Sequence, residues 1–222
     1  MEIIVQLIDF ITHIDKYLTE ITQSYGTWTY LILFLIIFCE TGLVVTPFLP
    51  GDSLLFVIGA LGATGTLDFK LAVVLLIIAA VGGNTLNYFI GKTIGKRILE
   101  SPKLRFVSRI VKKKYIEKAH AFYEKHGGKA ILFSRFLPIL RTFAPFVAGI
   151  GKMNFAKFTM YNSIGAIAWV LIFMLGGYFF GNIEVVKSNF TYVIFGIIGV
   201  SLLPAIITWF SARKRRIKSR DR

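Results

Sequence analysis

Four charged residues stand inside otherwise apolar segments of this 222-residue chain. Glu40 and Asp52 flank one proline-containing turn, and Arg135 and Arg141 flank a second. Charge at membrane depth is costly and is kept almost only where it faces a cavity or a partner, so it indicates a functional site. A carboxyl group in a low-dielectric site can exchange protons near neutral pH, and a guanidinium group presents a rigid fork that suits phosphate. The two acids could therefore relay protons or hold a cation, and the two arginines could converge on one anion.

Both charged pairs also have structural interpretations. Asp52 could only cap a helix that starts at Ser53, because Asp is a favoured N-cap residue. The two arginines could serve only as a salt-bridge lock for the two acids, although a buried pair is weak evidence for stability. Glu40 follows nine uncharged residues, 31–39, so a structural role is harder to assign to it. The structural and functional interpretations can hold together.

Prolines and glycines interrupt the backbone beside these charges. Broken backbone is tolerated at membrane depth only where protein or a water-filled cavity satisfies its polar groups. One broken segment in each half of a chain predicts a transporter binding site between two repeats. The residues that we expect to line or hinge this cavity are Pro47, Pro50, Gly51, Asn84, Asn87, Tyr88, Pro138 and Pro145.

The composition is that of a membrane protein. Hydrophobic residues make up 55% of the chain and charged residues 17%, whereas globular domains carry about 25% charged residues. Cys39 is the only cysteine and the three histidines lack ligand spacing, so we expect no disulfide, metal or cofactor. The chain has no complete Gly-x-x-x-x-Gly-Lys-Ser/Thr loop and no Gly-x-Ser-x-Gly elbow, which argues against ATP-driven transport and against an enzyme.

The net charge of +14 is concentrated in two basic stretches that adjoin apolar segments. Residues 91–129 hold 12 Lys and Arg against three Glu, and residues 213–222 hold seven against one Asp. Nucleic-acid binding is one interpretation of such stretches, but the positive-inside rule is simpler and places both in the cytoplasm. The N-terminal residues lack the features of a cleaved signal peptide.

Counting membrane crossings between the two basic stretches predicts the topology. Three apolar segments lie between the two basic stretches, and three full crossings would place these stretches on opposite sides of the membrane. Both stretches lie on the same side only if one segment, 130–150, enters and leaves on the same face. The same logic applied to 28–61 predicts two inverted repeats, each a re-entrant helical hairpin followed by a transmembrane helix. Trp28, Trp169 and Trp209 could mark interface levels or be core residues.

We therefore predict an all-α integral membrane protein with a single domain, 1–222. Its expected parts are an interfacial amphipathic helix (1–27), a re-entrant hairpin (28–61), a transmembrane helix (71–90), a basic cytoplasmic segment (91–129), a second re-entrant hairpin (130–150), two further transmembrane helices (155–181 and 190–210) and a basic cytoplasmic tail (211–222).

Long motifs over residues 5–210 resemble the DedA family, also described as VTT or SNARE-associated-Golgi-type membrane proteins. The similarity is close enough to suggest an ortholog of the founding bacterial member. It rests on residues 38–42, residues 46–52, the Asn87-Tyr88-x-x-Gly91 pattern, residues 122–128, residues 135–149 and residues 176–181.

The resemblance implies a bacterial inner-membrane protein with opposed re-entrant hairpins, linked to envelope homeostasis and the proton motive force. Some family members are implicated in returning undecaprenyl phosphate across the membrane, and others in moving phospholipid. The resemblance also implies that Glu40, Asp52, Arg135 and Arg141 are functional residues. Asn84 departs from the family pattern, because an acid is common at that position.

These observations together predict a lipid transporter of flippase or scramblase type. Arg135 and Arg141 would bind the phosphate headgroup of undecaprenyl phosphate or a phospholipid, and Glu40 and Asp52 would couple transport to protons. The alternatives are a proton-coupled cation antiporter and a non-transporting scaffold for envelope or division machinery. The expected partners are an anionic lipid and the bilayer, with no nucleic acid, and small-residue helix faces permit a homodimer.

Overall fold

The computed structural model of the chain describes residues 20, 24–43, 51–100 and 127–181, together with 183, 184, 186, 192, 193, 196 and 199. Several sequence predictions concern residues outside this set. They are most of the interfacial helix (1–27), the hinge prolines Pro47 and Pro50, the basic segment from 101 to 126, most of the helix at 190–210, and the tail at 211–222.

The regular structure of the described residues is helical, which confirms the predicted all-α class. The main helices, labelled in chain order, are α1 (Trp28–Gly42), α2 (Gly51–Ala63), α3 (Phe69–Glu100), α4 (Lys129–Ser134), α5 (Pro138–Ile150) and α6 (Phe155–Phe180).

Two of the helices in the described part of the chain are long and apolar enough to cross a membrane. Their apolar parts, Phe69–Ile94 of α3 and Phe155–Phe180 of α6, each contain 26 residues. At about 1.5 Å per residue, each measures about 39 Å, against a hydrocarbon core of about 30 Å. The helix α3 extends beyond the predicted span of 71–90 into the basic segment. Its last described residue is Glu100.

The other main helices are shorter over the residues that the structure describes. α1 has 15 residues, and α2 and α5 have 13 each, so α2 and α5 measure about 20 Å. An extended residue, Leu43, follows α1, and the chain breaks between α4 and α5 at residues 135–137. Each half of the described chain therefore contains two short helices followed by a long one.

Of the two prolines that we predicted to interrupt residues 130–150, one lies at the observed break after residues 135–137 and the other does not. Pro138 opens α5 at a position where its missing N–H is not needed. Pro145, which we predicted to interrupt this segment, instead lies buried within α5. That prediction is wrong because a membrane helix tolerates proline where neighbouring groups compensate for the lost bond. Asn87 of α3 reaches the same part of α5, where its amide donates to the Thr142 carbonyl at 2.7 Å.

The short helices pack on the long helices of both halves. α1 and α5 pack on α3, whereas α2 and α4 pack on α6. The helix α2 crosses α6 where glycines allow the two backbones to touch. Gly59 lies against the backbone of Met174, and Gly177 lies against the backbone of Phe56. A side chain at either glycine would collide with the opposite helix.

The contact between α5 and α3 repeats this arrangement. Gly91 lies against the backbone of Phe146, and Gly149 lies against the backbone of Tyr88. Glycine permits such an approach because it carries no Cβ, as in small-residue contacts between membrane helices. The second short helix of each half thus packs on the long helix of the other half.

The core and the outer surface are both apolar. The larger core cluster includes Leu33, Ile37, Leu55, Trp169 and Val170, and a second surrounds Tyr88 and Phe158. Exposed apolar side chains run along the outer faces of α3 and α6, as expected of helices that face lipid. They include Leu71, Val74, Ile78, Leu86, Phe89, Met160, Ile164, Ile167, Ile172 and Phe179.

Candidate functional site

Arg141 joins the two acidic residues in one buried cluster. Its Nη1 atom donates to Asp52 Oδ1 at 2.6 Å, and its Nη2 atom donates to Glu40 Oε1 in a second close ion pair. Glu40, Asp52 and Arg141 are 1%, 8% and 3% exposed, respectively. The cluster connects the C-terminal end of α1 to the first turns of α2 and α5. It therefore joins the first half of the chain to the second.

Local backbone features place the two acids side by side. Glu40 lies in the last turn of α1 and Asp52 in the first turn of α2. Between them, Gly51 packs directly against the Glu40 carboxylate, so that a Cβ at this position would collide with it. The predicted hinge residue Gly51 is thus a neighbour of the cluster. Oε2 of Glu40 has no hydrogen-bond partner in the described part of the chain.

Trp169 contacts both residues of the Asp52–Arg141 ion pair. Its Nε1 atom donates to Asp52 Oδ1 at 2.8 Å, and the centroid of its ring lies 4.6 Å from Arg141 Cζ, within cation–π range. Its side chain is completely buried, so Trp169 is not an interface marker. The sequence offers one signal for this role, since a buried indole N–H usually finds a partner.

Arg135 occupies a separate position near the same ring. It follows α4 at the chain break, is 1% exposed, and lies 6.0 Å from the Trp169 ring centroid. Its Nη2 atom donates to Asn162 Oδ1 at 2.7 Å and to the Ala80 carbonyl at 3.2 Å. Gly165 leaves room for the side chain, because a Cβ there would lie 2.9 Å from Arg135 Cδ.

Two asparagines from the long helices complete the surroundings of Arg135. Asn84 of α3 donates to Asn162 Oδ1 of α6 at 3.0 Å, and Asn162 donates to the Val81 carbonyl at 3.2 Å. With the Asn84 amide turned over, its oxygen accepts from Arg135 Nη2 at 3.0 Å and its nitrogen donates to the Thr41 carbonyl at 3.1 Å. Asn162 is a site residue that the sequence reasoning missed, although it is a polar residue within an apolar span.

The remaining predicted lining residues take different positions. Asn87 lies between α1 and α5, and its amide donates to the carbonyls of Thr142 at 2.7 Å and Thr41 at 3.4 Å. Tyr88 instead belongs to the second hydrophobic cluster. Its hydroxyl donates to the Met153 carbonyl at 2.5 Å, and its ring stacks on Phe158 at 4.6 Å. Arg135 therefore contacts Asn162, and Asn84 when the Asn84 amide is turned over, rather than Tyr88.

The chain resembles known membrane proteins over almost its whole length. The VTT domain model matches residues 49–179. Protein DedA of Escherichia coli is 55% identical over 209 residues, covering 93% of this chain and 94% of the relative. The chain belongs to the DedA family. No solved structure matches it.

More distant DedA-family relatives are also named as membrane proteins. An uncharacterized membrane protein of Mycobacterium leprae is 40% identical over 181 residues, covering 81% of this chain and 79% of the relative. Inner membrane protein YqjA of Escherichia coli is 34% identical over 185 residues, covering 83% and 82%. Family membership and the two long apolar helices together identify a membrane protein.

The matched DedA-family domain contains three of the four charged residues. Asp52, Arg135 and Arg141 fall within residues 49–179, whereas Glu40 belongs to the preceding helix α1. The ion pair from Arg141 to Glu40 thus fastens α1 to the domain. With all four side chains ionised, the net charge of the site is zero. An anion can bind to a guanidinium group only if a carboxylate releases Arg141 or if the anion uses a guanidinium N–H that no carboxylate occupies.

Proposed function

We propose that this protein transports a lipid by moving its phosphate headgroup across the inner membrane. Undecaprenyl phosphate is the leading substrate, and a phospholipid headgroup is the second. One observation supports this proposal above all others, which is the buried guanidinium of Arg141 shared between Glu40 and Asp52. Guanidinium binds phosphate in the same bidentate geometry that it uses for carboxylate, so a phosphate can take the place of these acids.

The proposed cycle is an exchange of partners at Arg141. Protons taken up from outside neutralise Glu40 and Asp52 and weaken their hold on the guanidinium. The geometry supports this step, because Glu40 engages Arg141 through Oε1 while Oε2 has no hydrogen-bond partner among the described residues. Arg141 and Arg135 then bind the headgroup while the lipid tail stays in the bilayer. Loss of the protons to the cytoplasm restores the ion pairs and expels the phosphate.

Helix termini add to the attraction for an anion. Asp52 lies in the first turn of α2 and Arg141 in the first turn of α5, and the two residues are bonded to each other. The N-termini of both short helices therefore point toward the site. Such termini carry partial positive charge, and broken helices in transporters direct it at anionic substrate groups. A phosphate at Arg141 would face both termini.

We infer that the two halves are inverted repeats and that α1–α2 and α4–α5 are re-entrant hairpins. The lengths of α2 and α5 support this inference, because neither spans the bilayer. So does their packing, since α2 crosses α6 at Gly177 and α5 crosses α3 at Gly91. The crossing segments are similar, with Phe-Val-Ile-Gly at residues 56–59 and Phe-Val-Ala-Gly at residues 146–149. In this arrangement the basic segment 91–129 and the tail are cytoplasmic.

A reconstituted flip assay tests the proposal. Proteoliposomes would carry undecaprenyl phosphate or a fluorescent phospholipid, each measured with and without a pH gradient. We expect Arg141→Lys to slow headgroup movement at least about tenfold, because lysine keeps the charge and loses the fork. Glu40→Gln should abolish the response to the pH gradient. Glu184→Gln, at an exposed carboxylate, is the matched control.

The same assay separates this proposal from its alternatives. Unchanged lipid movement in both Arg141→Lys and Glu40→Gln would refute it. Cation movement without any lipid dependence would instead favour an antiporter. Full complementation in cells by a variant that lacks all four charges would favour a scaffold.

A further inference from the structure

Glu40 and Asp52 bond to the same guanidinium group, but they are not held equally. Asp52 Oδ1 accepts from Arg141 Nη1 at 2.6 Å and from Trp169 Nε1 at 2.8 Å. Glu40 accepts from Arg141 through Oε1, and its Oε2 atom has no hydrogen-bond partner in the described part of the chain. Protonation of a carboxylate removes the charge that strengthens each of its hydrogen bonds. It therefore weakens at least two bonds at Asp52, and one at Glu40 among the described residues.

The positions of the two acids in their helices act in the same direction. Glu40 lies in the last turn of α1, where the partial negative charge of the helix terminus disfavours a carboxylate. Asp52 lies in the first turn of α2, where partial positive charge favours one. Glu40 is also the more deeply buried, at 1% exposure against 8%, and burial disfavours the charged form. Asp52 is thus the better place for a negative charge.

Charged groups from three other segments act on Glu40 in the described part of the chain. Arg141 of α5 pairs with it, Arg135 after α4 favours its ionised form, and Asp52 of α2 disfavours that form more strongly than Arg135 favours it. The described groups of α3 that meet this end of α1 are neutral, namely Gly83 and Asn87. The repulsion between the two carboxylates ends as soon as one is neutral, so the first proton leaves the other acid ionised.

We propose that the two acids act in a fixed order, in which Glu40 takes up a proton and releases Arg141 first. Asp52 meanwhile stays ionised, bound to Arg141 and Trp169. The proton, delivered by water, forms an O–H bond on the Glu40 carboxylate, and the ion pair through Oε1 loses its charge. The phosphate then binds in the place of this carboxylate, and release of Asp52 follows later in the proposed exchange of partners. The inference rests on the proposed function for the identity of the ligand, a lipid phosphate.

The N–H groups of Arg141 fit this order. Nε and Nη2 form one edge of the guanidinium, and Glu40 bonds to Nη2 alone, since Nε has no hydrogen-bond partner in the described part of the chain. A phosphate on this edge makes two parallel bonds where the carboxylate makes one, and Nη1 can keep Asp52. Gly51 packs against the same carboxylate, so backbone without a side chain borders the place that the phosphate would take.

Counting the protons that accompany anion binding tests the order. Calorimetry of the purified full-length protein in detergent, repeated in buffers of different ionisation enthalpy, gives the number of protons taken up per bound probe. The probes are farnesyl phosphate, a monoester, and dihexanoyl phosphatidylglycerol, a diester. Measurement at about pH 8, above the second pKa of about 6 of a phosphate monoester, keeps the probes from changing their own charge.

The two acids should give different proton counts. The wild type should take up about one proton per bound probe, because Glu40 must be neutralised before it gives up its place. Glu40→Gln should take up almost none, and should lower the Kd at least about tenfold, since no charge-assisted bond is displaced. Asp52→Asn should still take up about one proton, because Glu40 is unchanged. It is the matched control, since both variants remove one carboxylate from Arg141.

The outcomes separate this inference from the proposed function. Proton uptake that persists in Glu40→Gln or is lost in Asp52→Asn would overturn the order, as would wild-type binding without uptake. A wild-type protein that binds the probes with the expected uptake but moves no lipid in vesicles would refute the transport function and leave the order intact. A wild-type protein that binds neither probe would overturn both. Either variant decides the order if the other does not fold.

Discussion

Removing the Arg141 side-chain charge should destabilise the protein more than removing the whole charge cluster. Arg141→Met keeps most of the hydrocarbon volume but leaves the carboxylates of Glu40 and Asp52 buried, at 1% and 8% exposure, without the guanidinium that pairs with both. Removing one partner of a buried ion pair costs about 3–5 kcal/mol. Here two carboxylates lose the same partner, so we expect a cost toward the upper end of that range.

The triple variant Arg141→Met, Glu40→Gln and Asp52→Asn should recover at least half of this loss. Replacing a complete buried charge set by neutral groups of similar volume is often close to neutral for stability. The glutamine fits the space beside Gly51 that the glutamate occupies, and the asparagine oxygen can still accept the Trp169 N–H. The same variant should move no lipid, because it no longer carries the guanidinium or the acids.

Equilibrium unfolding of the full chain in mixed detergent micelles measures the stability, and the flip assay measures transport on the same preparations. A triple variant that is less stable than Arg141→Met alone would refute the reasoning, as would a single substitution that costs less than about 1 kcal/mol. A triple variant that transports normally would show that the cluster is only a structural lock.

Two further predictions concern the helix contacts around the cluster. Gly177→Ala should destabilise the fold by about 1–3 kcal/mol in the same unfolding assay, because its Cβ collides with the backbone of α2. Gly176→Ala is the matched control, since its Cβ would meet only a ring at 3.8 Å; an equal loss in both would contradict the close crossing. Trp169→Phe keeps an aromatic ring near Arg141 but removes the N–H donor to Asp52. It should slow lipid movement about tenfold, as expected for the loss of one charge-assisted bond, and wild-type transport by this variant would exclude Trp169 from the site.

The sequence predicted well which charged residues are buried, and less well which groups surround and pair with them. Glu40, Asp52, Arg135 and Arg141 could be selected because each stands in an apolar segment, and the cost of that placement is evident from the segment alone. The break at Pro138 was also predictable from the local sequence, since proline disrupts the helical turn in which it lies. Pro145 was not, because its tolerance inside α5 depends on what packs beside it.

The sequence by itself therefore determined the all-helical class, the long apolar helices and the four residues whose charge lies buried. These properties depend on local composition and on neighbours within a few turns. Only the tertiary structure decided that Arg141 takes both carboxylates, across 101 and 89 residues, while Arg135 receives neutral amides. It also brought in Trp169 and Asn162. The physical reason is that a partner's identity depends on how closely helices approach, and here glycine contacts between distant segments set that approach.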